Sequence, residues 1–190
     1  MAGIQQGLIG SLYGAVGDFE SIATVSVGAG GSATVDFTSI PATYTHLQIR
    51  GIAKLSGTTT PRFFYMRVGN GSIDTGTNYS GHSLDGNGAT VVADSSVSAS
   101  SIPAGRIATS SAGTNANAFG IFVIDFLDYA NTSKYKTVRS LSGWDSNGTG
   151  NAILSSGNWR STSAIDSIRF FGSGEDLTQY SHFALYGIKG

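Results

Sequence analysis

From Phe19 onward the apolar residues come in short runs rich in Val, Ile, Phe, Tyr and Thr, each closed by Gly, Asn, Asp or Ser. β-Branched and aromatic residues fit a pleated, half-buried surface, and such punctuation marks strands joined by tight turns. The pattern predicts strands at Phe19–Val27, Ser32–Thr38, Thr45–Leu55, Arg62–Val68, Phe119–Leu127, Tyr135–Gly143, Ala152–Ser156, Ala164–Phe171 and His182–Ile188. Gly28-Ala29-Gly30-Gly31 offers the φ > 0 positions of a hairpin between the first two runs. Phe119–Leu127 is apolar on both faces, as in a strand buried centrally between two layers. Asp128–Lys134 then returns the chain to Tyr135 in a second hairpin. The stretch Gly69–Asn117, poor in apolar residues and dense in Gly, Ser, Asn and Ala, reads as long loops or an edge excursion. The expected fold is all-β, an antiparallel β-sandwich of jelly-roll type spanning residues 18–190, with a closed barrel as the alternative. The 27 Gly against 3 Pro suit a turn-rich chain, and 40% hydrophobic residues supply a core.

Residues 1–17 differ in kind. Gly3, Gly7, Gly10, Gly14 and Gly17 alternate at spacings of four and three, which on a helix aligns them in one stripe beside Ile4, Leu8, Leu12 and Val16. Each Gly costs a helix about 1 kcal/mol relative to Ala, so such a helix needs close packing on a partner. The segment reads either as a docking and oligomerisation anchor or as a flexible Gly-rich leader. It has no Lys or Arg and is too short to span a bilayer, so no membrane insertion is expected and assembly in a cytoplasm is.

The formal net charge of −1, with 12% charged residues, leaves no basic surface for phosphates, so nucleic acid is not an expected partner. Weak charge also gives little protection against association, so a homo-oligomer is expected, a trimer in particular. With no Cys in the chain, disulfides, thiolate metal sites and Cys nucleophiles are excluded.

Residues able to do chemistry are scattered. His46 and His182 fall in or beside strands, where an imidazole usually serves as a hydrogen-bonding residue. His82 lies in a polar segment with Tyr79, Asp85 and Asn87, which could face a sugar, although turn chemistry is the favoured reading of Asp-Gly-Asn-Gly. Asp145, Asn147 and Thr149 match the front of a calcium loop, but Ser156 stands where its bidentate Glu is required, so an EF-hand is excluded and no metal is assigned, a non-EF calcium site in a β-loop staying the open alternative. Asp125, inside the most apolar run, should meet Arg139 or Lys136. Trp144 beside Asp145 and Asn147, and Trp159 beside Arg160, set aromatic faces among polar groups, as glycan sites and interfaces do; capping the core is the competing role. No catalytic set and no cofactor fingerprint appears.

Several blocks, Phe19–Val25, Phe37–Gly51, Leu127–Arg139 and Gln179–Ile188, give the chain its resemblance to small β-rich virion structural proteins of tailed bacteriophages. The resemblance implies a place in the virion among other virion proteins, as a tail-fibre-like adhesive component that binds host surface glycan or as a capsid decoration protein. It carries no catalytic residue, and a glycan-active enzyme ranks last.

Overall fold

In a computed structural model the described residues are 18–58, 62–110 and 117–190; the glycine-striped segment and its docking residues (Ile4, Leu8, Leu12, Val16, Gly3, Gly7, Gly10, Gly14) lie outside them. The described residues are all β, with no helix. The strands are β1 (Phe19–Ser26), β2 (Thr34–Phe37), β3 (His46–Leu55), β4 (Arg62–Asn70), β5 (Ser72–Ile73), β6 (Tyr79–Gly86) and β7 (Val91–Ala99). The chain continues through β8 (Ile102–Thr109), β9 (Gly120–Leu127), β10 (Lys136–Asp145), β11 (Gly150–Trp159), β12 (Ser167–Gly172) and β13 (His182–Ile188).

Hydrogen-bonded pairing gives one long antiparallel ladder, β1-β13-β3-β9-β10-β11-β6-β7, and a shorter one, β2-β12-β4-β8, with β5 hairpinned onto β4. A brief parallel stretch, Lys54 with Ala108 and Leu55 with Thr109, joins β3 to β8 and makes the sheet mixed. Phe64 and Phe170 of the short ladder meet Phe122 and Phe183 of the long one, with ring centroids 4.9 to 6.2 Å apart. These offset contacts, with Leu47, Ile49, Met66 and Leu185 around them, form the core.

Three expectations are corrected. The first two strands do not form a hairpin: β1 pairs with β13 and β2 with β12. Gly30 and Gly31 do take positive φ, but the turn transfers the chain between ladders. Ser32 and Leu177 exchange backbone hydrogen bonds there, and a Cβ on Gly31 would stand 2.9 Å from Leu177 O. The apolar β9 is central, between β3 and β10, yet it buries only alternate residues: Phe122, Ile124 and Phe126 face the core, while Ile121, Val123 and Leu127 are exposed. The Gly69–Asn117 stretch carries β5 to β8 rather than long loops, because its small residues still complete backbone ladders on β4 and β11; the alternative reading, an edge excursion, fits β6 and β7, which close the edge of the long ladder.

Candidate functional site

The outward face of the short ladder carries a run of rings. Alternation along β4 turns Phe64, Met66 and Val68 into the core and Phe63, Tyr65 and Arg67 outward. Phe63 lies 6.1 Å from Tyr65, and Tyr65 stacks on Phe171 of β12 at 5.9 Å. Cations close both ends, Arg106 at 4.1 Å over Phe63 and Arg67 at 4.7 Å over Phe171. Arg67 is held further by donating to Ser100 O at 2.8 Å.

The β6–β7 hairpin overhangs this run and encloses a cleft of about 380 Å³. Its floor is Phe63, Tyr65 and Pro103; its wall is Ser96, Ser100 and Ser101, with Asp94 contributed by β7, while the paired His82 and Ser95 border it in the chain and turn their side chains to the opposite face. Asp94 is near enough to oppose ionisation of Tyr65, whose phenol is raised first by burial and lowered in part by Arg106 and Arg62. Ser96 Oγ is buried and has no hydrogen-bond partner, an unmet hydroxyl on the cleft wall. Behind Phe63 the floor is fixed by Asp85, which accepts from Asn151 Nδ2 at 2.6 Å. Arg106 Nε approaches Asp85 Oδ2 to 2.7 Å without the alignment of a hydrogen bond, so that attraction is charge on charge.

The residues singled out in the sequence are dispersed by the fold. Trp144, Asp145 and Asn151 share a shallow, open concavity with Gly86 and Asn87 at the tips of the β10–β11 and β6–β7 hairpins. The Trp144 ring itself is buried, Asp145 Oδ1 accepts from the Asn147 N–H at 2.9 Å, and Asn147 holds the turn at φ 56°. At the opposite end Trp159 pairs with Tyr79, and both rings are buried. Trp159 Nε1 donates to Asp74 Oδ2 at 2.8 Å, and Arg160 donates to Thr77 O at 2.7 Å. The Tyr79 hydroxyl stands 2.9 Å from Val68 O and 2.8 Å from Asp74 O, and burial pushes its pKa up to about 12. None of the eight candidates turns its side chain into the cleft: His82 borders it in the chain but shares the opposite face of β6 with Leu84, and Asp85 lies behind the floor.

Asp125 does meet Arg139, at 2.8 Å, and also accepts from Gln48 at 2.7 Å; Lys136 instead turns inward and donates to Lys134 O and Thr162 O. Asp94 is the sole carboxylate among the described residues lining the cleft, so no carboxylate pair for glycoside hydrolysis is assembled there. Among the described residues no group of three or more His, Cys, Asp or Glu is gathered as metal ligands, and no helix is long and apolar enough to cross a membrane. The floor and wall of the cleft were missed in the sequence because Phe63 and Tyr65 sit in a run apolar on both faces and the serines in a stretch read as loop. Comparison with protein-family models, curated proteins and solved structures finds no match.

Proposed function

We propose that the protein is a structural component displayed on a bacteriophage particle, and that its cleft takes a neutral glycan of the host surface. The observation that carries this reading is the opposition of an aromatic floor, Phe63 and Tyr65, to a wall of serines, Ser96, Ser100 and Ser101. A sugar has one apolar C–H face and a rim of hydroxyls, so it can stack on the first and exchange hydrogen bonds with the second. Binding without turnover is supported by the single carboxylate in the lining. The virion setting rests on the sequence resemblance. The same reading takes the two ladders as the layers of a jelly-roll-like sandwich, which the interlocked phenylalanines between them support.

The test has two parts. Mass spectrometry and immunogold labelling of purified particles should detect the chain, with label at the tail tip or fibres; absence from particles would overturn the virion assignment, and label spread over the head would replace adhesion by decoration. A glycan array probed with the intact chain should give neutral-oligosaccharide hits that weaken about tenfold or more in Tyr65→Ala, since the ring provides the stacking area. A blank array, or hits indifferent to Tyr65→Ala, would overturn the cleft.

A further inference from the structure

The outward face of the long ladder is unusually apolar. Register places Val123 of β9, Leu141 of β10, Leu154 of β11 and Leu84 of β6 directly opposite one another, so that four aliphatic side chains form one row across four strands. Arg50 of β3 and Ala93 of β7 end the row. The row two residues away on the same face brings Ile52 and Ile121 as a direct pair at one end and Val91 at the other, with Gly143, Ala152 and Gly86 between them. Ile121 is 64% exposed and Leu141 60%, whereas their strand neighbours Phe122 and Ser140 are 2% exposed. The alternation that should put polar groups outside puts aliphatics there instead.

We infer that this face is the contact surface between two copies of the chain, packed sheet face to sheet face. The area argues for a full partner. The seven aliphatics expose on the order of 700 Å², against about 800 Å² per partner in a stable protein interface, while the largest apolar patch of a typical monomer is about 300–600 Å². The shape argues for a second copy. A sheet face offers its complement to another sheet at about 10 Å, and a two-fold axis through the middle of the row brings the aliphatic row onto itself. Charge is compatible: the polar row beside it carries Asp125 and Arg139 as a closed pair, so a facing copy meets no uncompensated charge there. This face-to-face pair is two-fold, in contrast to the trimer expected from the sequence, and it does not depend on the glycan reading, because the cleft opens on the opposite face of β6 and β7.

Sedimentation equilibrium of the intact chain should give a dimer at micromolar concentration. Leu141→Lys and Leu84→Lys, both at exposed positions, should each raise the dimer dissociation constant by at least about 100-fold, since they force ammonium groups into an apolar contact, and should leave the far-UV circular dichroism unchanged. Two independent variants on different strands keep the test decisive should one fail to fold. A monomeric native chain, a trimer, or a dimer untouched by both folded variants would overturn the inference. So would a monomer that dimerises only after deletion of residues 2–17, which would mean that the chain's own leader covers the face, or a monomer that binds lipid vesicles through it.

Discussion

Replacing Arg106 with Met is the most informative single change to the floor of the cleft. Arg106 Nε stands 2.7 Å from Asp85 Oδ2, with the two side chains 25% and 10% exposed. Among the described residues Asn151 also meets that carboxylate, donating to Oδ1. Removing the guanidinium leaves Asp85 as a nearly dry charge with one amide donor. Breaking a buried pair from one side costs about 3–5 kcal/mol, and because Arg106 keeps some contact with water the lower end, about 3 kcal/mol, applies. In a domain of this size each kcal/mol moves Tm by about 2–4 °C, so Arg106→Met should melt roughly 6–12 °C lower. Urea titration and calorimetry of the intact chain measure both quantities. Asp85→Asn combined with Arg106→Met should regain most of the loss, since no charge is then stranded. The reasoning is refuted if Arg106→Met stays within about 0.5 kcal/mol of the native chain, the range of a neutral surface change, or if the double variant is no better than the single one.

Gly157 has no room for a side chain, as its Cβ would fall 2.2 Å from Ile102 Cγ2; Gly157→Ala should cost about 1–3 kcal/mol in urea titration, and the cost should shrink in an Ile102→Ala background. Tyr79→Phe removes the hydroxyl that joins β4 to the Asp74 turn and should cost about 1–3 kcal/mol by the same measurement. For Asp125, burial disfavours the charge, but hydrogen bonds from Gln48 and Arg139 outweigh it and hold the folded pKa below the ordinary carboxylate value. The unfolded chain therefore takes up the proton first, so this stabilisation is complete above about pH 4 and is lost as pH falls through the folded value. Stability measured between about pH 5 and pH 3 should fall less steeply in Asp125→Asn than in the native chain.

What could be read from the sequence depended on how local each determinant was. The Asp125–Arg139 pair was legible because a single hairpin sets its register. The Trp159–Asp74 hydrogen bond joins residues 85 apart, and nothing around either position announces the other. β7 was hidden for a different reason: Val91 to Ser95 are all exposed, so the period-two alternation that identifies strands is missing. The first hairpin failed because Gly28–Gly31 specify a reversal without naming the partners, and β13 and β12 outcompeted the neighbour in sequence. In Phe63-Phe64-Tyr65-Met66 both alternating sets are apolar, so the pattern could not say that one builds the core and the other the floor of a cleft. The same ambiguity in Ile121-Phe122-Val123-Ile124 concealed the exposed aliphatic row.

The claim that the cleft binds a neutral glycan is tested most directly by titrating ¹⁵N-labelled intact chain with a neutral oligosaccharide that scores on the array and mapping the amide shifts. The largest saturable shifts should fall on residues 63–65, 94–96 and 100–101, the floor and wall of the cleft. Shifts confined to the Asp145–Asn151 turn, or none at all, would contradict it.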